Sequence, residues 1–189
     1  MTYTSQYLAE TIQMVQGLDQ DQIEEMATLL ARVRAREGRV FVIGVGGSAA
    51  NASHFVNDLR KIAHIDASTP VDNVAELTAR TNDDGWSRVF VDWLRVSRLS
   101  AWDVLFVLSV GGGTDTVSPN LVKAINEATS IGATILGVVG REGGHTKHRA
   151  TACVVVPTVH LHTVTPHAEE AQGIVCHLLV SHPRVRATA

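Results

Sequence analysis

Four short apolar runs alternate with helical patterns along this chain, and this alternation constrains the fold more than any other feature. The runs are rich in valine, isoleucine and leucine, as strands buried on both faces of a parallel sheet are. The predicted strands are residues 40–44, 103–109, 134–139 and 152–156. The pattern predicts an α/β fold: a doubly wound, mainly parallel sheet flanked by helices.

Helical periodicity fills most of the chain between these runs. The predicted helices are residues 5–15, 19–36, 48–63, 74–81, 86–94, 115–130 and 166–180. Asp19 followed by Gln22 is a capping-box pattern at the start of the second helix. The apolar stripes of the N-terminal helix pair are wide enough to serve a partner subunit as well as the chain's own core. They comprise Met14, Leu18, Ile23, Met26, Leu29, Leu30 and Val33. We expect one domain over residues 1–189, with N-terminal helices at about 5–36 and the sheet and its helices at about 39–182.

Composition excludes several classes of function. Of 189 residues, 45% are hydrophobic and 19% charged, and the net charge is −3, as in a globular protein. Without a long basic run, membrane-length apolar run or signal-peptide pattern, we expect no nucleic-acid or membrane partner and a cytoplasmic location. Cys153 and Cys176 lie among apolar residues and are expected to be buried thiols.

Two glycine-rich turns follow predicted strands, and a ligand is expected there. The first glycine turn is residues 44–48 (Gly-Val-Gly-Gly-Ser), and the second is residues 109–114 (Ser-Val-Gly-Gly-Gly-Thr). Open α/β sheets bind ligands at the carboxyl ends of strands, and a helix N-terminus favours an anion. Neither turn has the P-loop or dinucleotide pattern. The glycines could instead merely form tight turns, but together they indicate a site for a small phosphorylated molecule.

An imidazole and a carboxylate lie on the helix that follows the first turn. His54 and Asp58 are four residues apart and therefore share one face of that helix. Such a pair suits acid–base catalysis near neutral pH or binding of a metal ion. A satisfied structural histidine is the alternative.

The order of motifs resembles that of a sugar isomerase (SIS) domain. The most specific part is residues 44–55, which read Gly-x-Gly-Gly-Ser-Ala-Ala-x-Ala-x-His-Phe. Asn82-Asp83, Ser109-x-Gly-Gly and a histidine in the last helix support it, and the similarity covers about residues 5–182. Within this superfamily the chain is most similar to bacterial phosphoheptose isomerases, which interconvert sedoheptulose 7-phosphate and a heptose 7-phosphate. The resemblance implies a homotetramer with active sites at subunit contacts.

The resemblance also implies roles for individual residues. Asp58 and His177 match the family's acid–base pair, and His54, Asp58, Glu169 and His177 match the residues that can hold zinc. Glu169 and His177 are about 12 Å apart along an ideal helix, so Glu170 is a reserve ligand. The expected substrate and phosphate contacts are Gly46, Gly47, Ser48, Asn51, Asn82, Asp83, Ser109, Gly111 and Thr114.

This chain departs from the family pattern at several positions. Val45 replaces an asparagine, the second turn replaces Ser-Thr-Ser-Gly-Asn-Ser, Asp58 replaces a glutamate, and Glu169 replaces a glutamine. Three alternatives therefore stay open: isomerisation of another sugar phosphate, regulation by a bound sugar phosphate, and a non-catalytic tetrameric scaffold.

Five other histidines and the three tryptophans are expected to lie outside the site. We expect the histidines on the surface or in loops, and we do not expect a second metal site at the alternating His160 and His162. These histidines are His145, His148, His160, His162 and His167. The tryptophans, expected to anchor the core or an interface, are Trp86, Trp93 and Trp102.

Overall fold

The computed structural model describes residues 1–187 and contains a five-stranded parallel sheet at its centre. The strands are β1 (Arg39–Ile43), β2 (Asp66–Ser68), β3 (Val104–Ser109), β4 (Thr134–Val139) and β5 (Ala152–Val155). Their order is β2-β1-β3-β4-β5, and every neighbouring pair is parallel. The predicted α/β, doubly wound fold is confirmed. The four-strand prediction missed β2, because its sequence, Asp-Ala-Ser, is too short and polar to form an apolar run.

Helices cover both faces of this sheet. They are α1 (Tyr3–Gln16), α2 (Gln20–Ala35), α3 (Gly47–Lys61), α4 (Val74–Asp83), α5 (Val89–Val96), α6 (Pro119–Ile131), α7 (Gly144–Arg149) and α8 (Val164–Ser181). Short 3₁₀ turns lie at Pro70–Asp72, Trp86–Arg88 and Leu161–Thr163. None of the helices within residues 1–187 is long and apolar enough to cross a membrane.

Several helix boundaries and elements differ from the prediction. The helix predicted at 115–130 begins only at Pro119, because Ser118 adopts a left-handed conformation with φ of 58°. The short α7 was not predicted, since its residues, Gly-His-Thr-Lys-His-Arg, form no apolar stripe. The last helix begins two residues earlier than predicted, at Val164.

Alternating residues of the central strands divide the core between the two faces. Val42 and Phe106 face a cluster that includes Met26 of α2, Phe55 of α3 and Leu179 of α8. The second cluster, on the opposite face, contains Phe41, Ile43, Leu105, Phe90, Leu94 and Ile125. Full burial of a large apolar side chain contributes about 1.5–3 kcal/mol, so both faces stabilise the sheet.

The N-terminal helix pair also has two differently exposed faces. Asp19 caps α2 by accepting a hydrogen bond from the Gln22 backbone N–H at 3.1 Å, as predicted. Most of the predicted apolar stripe is buried in the chain's own core and is therefore unavailable to a partner. A separate apolar face of α1 and α8 is exposed instead. This α1/α8 apolar face comprises Leu8, Ile12, Val15, Ile174 and Leu178.

The tryptophans and cysteines occupy different environments. Trp93 is buried in the core, Trp86 is partly exposed and Trp102 is mostly exposed, so Trp102 is not a core anchor. Cys176 is buried, but Cys153 is only half-buried because it lies on the edge strand β5. Burial raises the pKa of the Cys153 thiol to about 11 and that of the Cys176 thiol further.

Candidate active site

The first glycine turn lies where the strand order reverses. The chain leaves β1 and starts α3, while its neighbour β3 ends at the second glycine turn. Gly46 adopts a φ of 66° with a ψ of −128°, which favours glycine, and α3 begins at the next residue. The free N–H groups of the first turn of α3 therefore open at the topological switch point, where such folds bind ligands.

Ser48 supplies a buried hydroxyl at this helix start. The residue is almost completely buried, and within the described chain its Oγ has no hydrogen-bond partner. Unpaired buried hydroxyls are costly, so this group favours a polar ligand or water nearby.

The second glycine turn is held closely by the first turn of α7. Ser109 Oγ accepts a hydrogen bond from the Gly112 N–H at 3.0 Å. The N–H groups of His145 and Thr146 donate to the carbonyl oxygens of Gly113 and Gly112, at 2.9 and 3.0 Å. These bonds fix the backbone of the turn before any ligand arrives.

Two other predicted substrate contacts of this turn, Gly111 and Thr114, border solvent. Thr114 is exposed, and its hydroxyl accepts a hydrogen bond from the Val117 N–H at 2.9 Å. A side chain built at Gly111 would meet nothing within 4 Å, so this position borders open space.

His54, Asp58 and His177 converge between α3 and α8 and are here called the His–Asp–His triad. The two Nε2 atoms are 2.9 Å apart, and Asp58 Oδ2 lies 3.3 Å from His54 Nε2 and 3.7 Å from His177 Nε2. The imidazoles are 57% and 60% exposed, whereas the Asp58 side chain is only 10% exposed. Asn57 fixes Asp58 further by donating to its Oδ1 at 2.9 Å.

The donor set of the triad fits a zinc ion. Its three ligand atoms lie within 4.8 Å of one another. Ligand atoms of tetrahedral zinc, with bonds of about 2.0–2.1 Å, are roughly 3.3 Å apart, close to the three separations observed here. Two imidazole nitrogens and one carboxylate form a set that suits zinc and leave a position for another ligand. The exposure of both imidazoles makes the triad accessible from solvent.

Glu169 lies apart from this triad in the structure, and the four-residue metal set stays a prediction. Its carboxylate instead packs against Gly47. A Cβ atom added to Gly47 would collide with both carboxylate oxygens. The separation follows the helical rise, since Glu169 and His177 are two turns apart on α8.

Asn51 joins the two helices rather than facing a free ligand position. Its amide nitrogen donates to the backbone oxygen of Glu169 at 2.9 Å and to Gln172 Oε1 at 3.1 Å. Both amide protons are thereby used. The predicted contact with substrate could therefore be made only by the side-chain oxygen of Asn51.

Asn82 and Asp83 lie elsewhere in the chain. They occupy the end of α4, are exposed, and bond to each other at 2.7 Å. The structure of this one chain gives them no hydrogen bond to either glycine turn within residues 1–187.

One polar cluster beside α8 was not predicted. His167, expected on the surface, is buried between two carboxylates, with Glu170 Oε2 at 2.8 Å and Glu10 Oε2 at 3.3 Å. Glu170 also accepts a hydrogen bond from the Tyr7 hydroxyl, which raises the pKa of Tyr7 to about 12. These bonds fix α1 against α8 and engage Glu170, the reserve metal ligand. The cluster was not predictable from the sequence, because Glu10 and His167 are distant in the chain.

Comparisons with known proteins agree with this fold. A family model described as the SIS domain matches residues 3–140. The phosphoheptose isomerase of Chlorobaculum parvum is 32% identical over 188 residues, which cover 93% of this chain and 81% of that protein. That of Syntrophotalea carbinolica is 32% identical over 180 residues, covering 92% and 86%. The solved structure of a phosphoheptose isomerase from Neisseria gonorrhoeae is similar with a TM-score of 0.83 and 24% identity, covering 94% of this chain and 96% of that one.

Proposed function

The chain belongs to the SIS domain family and, within it, to the phosphoheptose isomerases, and from this membership we propose that it interconverts sedoheptulose 7-phosphate and D-glycero-D-manno-heptose 7-phosphate. The reaction is an aldose–ketose isomerisation, in which one proton moves between C1 and C2 through an enediol. The observation that carries this proposal is the His–Asp–His triad beside the glycine turns at the switch point of the sheet.

In this proposal the two glycine turns bind the substrate, and the triad carries out the chemistry. Backbone N–H groups at the start of α3, together with Ser48, Ser109 and Thr114, offer neutral donors for a phosphate and sugar hydroxyls. A zinc ion held by the triad would supply Lewis-acid polarisation of the sugar carbonyl. Asp58 and His177, with atoms 3.7 Å apart, are close enough to act on one substrate.

The proposal includes self-association into a homotetramer. The α1/α8 apolar face supports it, because these side chains are 37–59% exposed and lie together on neighbouring helices. Val15, Ile174 and Leu178 also line one groove on this face. Leu178 follows His177 directly, so a partner on this face would border the triad.

Turnover is tested by incubating the purified protein with sedoheptulose 7-phosphate, with and without zinc, and following the product by NMR. We expect an aldose 7-phosphate to appear. Fructose 6-phosphate serves as the matched ketose, and turnover of that sugar alone would favour the alternative substrate. Binding of sedoheptulose 7-phosphate without turnover would favour a regulatory protein. The complete triad argues against the scaffold alternative, which needs no such groups.

A further inference from the structure

The two glycine turns offer a phosphate neutral donors only, although the phosphate of a sugar is strongly charged. These donors are backbone N–H groups and the hydroxyls of Ser48, Ser109 and Thr114. A phosphate monoester carries a charge of about −1.5 to −2 at pH 7. Glu169 adds a further negative charge nearby, because its carboxylate packs against Gly47 at the start of α3. Tight binding of a phosphate here therefore calls for a cation.

Arg141 is the one lysine or arginine in the five connections that follow the strands within residues 1–187. These connections are residues 44–46, 69–73, 110–118, 140–143 and 156–163. Because the strands are parallel, all five lie at the carboxyl edge of the sheet, where such folds bind ligands. The other ionisable side chains in the connections are those of Asp72, Asp115, Glu142, His160 and His162. Arg141 therefore supplies the permanent positive charge at this edge.

The turn that carries Arg141 packs directly against the second glycine turn. Its Gly143 N–H donates to the Gly140 carbonyl oxygen at 3.0 Å, and the Gly140 N–H donates to the Ser109 carbonyl oxygen at 3.2 Å. A Cβ atom added to Gly112 would lie 1.9 Å from the Gly143 carbonyl oxygen, so the two backbones touch. Arg141 is exposed, and within residues 1–187 it has no carboxylate partner, unlike several other arginines. A long, unpaired side chain at this place can bind an anion on the second turn.

The backbone of Arg141 is strained in a way that a purely structural turn would avoid. Its φ is 51°, in the left-handed region that glycine and asparagine adopt at the lowest cost. Arg141 follows strand β4, at a turn position that favours such residues. Four other non-glycine residues in the described chain share a positive φ, but three follow helix ends, where it closes the last turn, and one precedes α6. They are Glu37, His64, Arg98 and Ser118. An arginine at position 141 therefore points to a function of its side chain.

We propose that Arg141 binds the phosphate of the substrate on the second glycine turn and thereby makes the protein selective for phosphorylated sugars; this rests on the isomerase function proposed above. The guanidinium donates two parallel hydrogen bonds to phosphate oxygens, and the N–H groups and hydroxyls of the turn bind the remaining ones. Its charge offsets that of the phosphate. The C1–C2 end of the sugar is then left for the triad.

The decisive variant is Arg141→Asn, which removes the charge and suits the left-handed backbone. We expect the dissociation constants of sedoheptulose 7-phosphate and of inorganic phosphate to rise about tenfold, as for one lost hydrogen bond between charged groups. Isothermal titration calorimetry measures both. The midpoint of thermal unfolding should rise by about 2–4 °C, because backbone strain is relieved. Weaker binding together with higher stability separates a binding residue from a structural one.

Arg98→Asn is the matched control. Arg98 is also exposed, with a φ of 55°, but it lies between α5 and β3, at the opposite edge of the sheet. Its substitution should raise the midpoint as Arg141→Asn does and leave both dissociation constants within about twofold of wild type. Arg141→Lys keeps the charge without the forked geometry, so its affinity for phosphate should lie between those of wild type and Arg141→Asn.

Several outcomes would overturn the assignment. Unchanged affinity of Arg141→Asn for both ligands would exclude Arg141 from the site, and an equal loss in Arg98→Asn would reduce its role to that of net charge. A lower midpoint accompanying the weaker binding would make Arg141 a structural residue of its turn. The phosphate titration needs no turnover. A wild-type protein that binds inorganic phosphate through Arg141 but does not isomerise sedoheptulose 7-phosphate would therefore remove the proposed function and keep this binding site.

Discussion

At the scale of single residues, the two imidazoles of the triad are the ligands whose loss is easiest to detect. Each supplies one of three ligand atoms, so His54→Ala or His177→Ala leaves only two. We expect wild-type protein purified without chelator to hold about one divalent ion per subunit and both variants to lose it. The exposed His148→Ala is the control. Elemental analysis measures the metal, and equal content in all four proteins would place the metal elsewhere.

Site residues that interact within one helix were predictable from the sequence, whereas those that meet between two helices were not. His54 and Asp58 could be paired from sequence, because their spacing on one helix is local geometry. His177 required a resemblance, since its contact depends on how α8 packs against α3. The position of Glu169 could not be predicted at all, because it depends on which turn of α8 meets Gly47.

At the scale of elements, Asp103 joins the start of β3 to β1. It accepts hydrogen bonds from the Arg39 backbone N–H at 2.9 Å and the Arg39 guanidinium at 2.8 Å, and from Ser100. Asp103→Asn removes the charge of the buried partner in this ion pair, whose Arg39 side chain is 35% exposed, and we expect a loss of about 2 kcal/mol in the free energy of unfolding. Asp66→Asn, at the exposed pair with Arg60, should cost less than about 1 kcal/mol. Urea denaturation measures both, and equal losses would contradict this role.

The contribution of Asp103 should also depend on pH. Burial alone would raise the pKa of its carboxyl, but hydrogen bonds from Arg39 and Ser100 outweigh it and lower the pKa. A lowered pKa in the folded state adds stability above the unfolded value of about 3.9, and this stability is lost as the pH falls below it. The difference between wild type and Asp103→Asn should therefore narrow below about pH 4. A gap that widened in acid, measured by urea denaturation across pH, would refute the assignment.

Elements with a long apolar pattern were predictable, and short polar ones were not. The runs that became β1, β3, β4 and β5 are buried, so hydrophobicity alone identifies them. β2 and α7 exist because neighbouring elements hold them in place. Thr146 of α7, for example, bonds to Gly112 through both its N–H and its hydroxyl.

At the scale of the whole molecule, the α1/α8 apolar face predicts how the chain associates. Ile12 is 59% exposed and Leu178 41% exposed, so charge there should disturb an interface more than the fold. We expect Ile12→Glu combined with Leu178→Glu to convert the proposed homotetramer into smaller species, measured by light scattering, with reduced turnover because the triad lies beside this face. Val74→Glu, on exposed α4, is the control. A wild-type protein that is monomeric at micromolar concentration would contradict the tetramer.

The close packing of the second glycine turn against the start of α7 also limits which substitutions this turn can accept. Gly112 approaches the carbonyl oxygen of Gly143 so closely that any larger residue there would have to unlock two loops at once. Gly111 has open space around it and does not have a positive φ, so a serine could arise there in one step. A hydroxyl is thus one substitution away at position 111 and is barred by the backbone at position 112. Natural variation in this turn should therefore be found at position 111 and not at position 112.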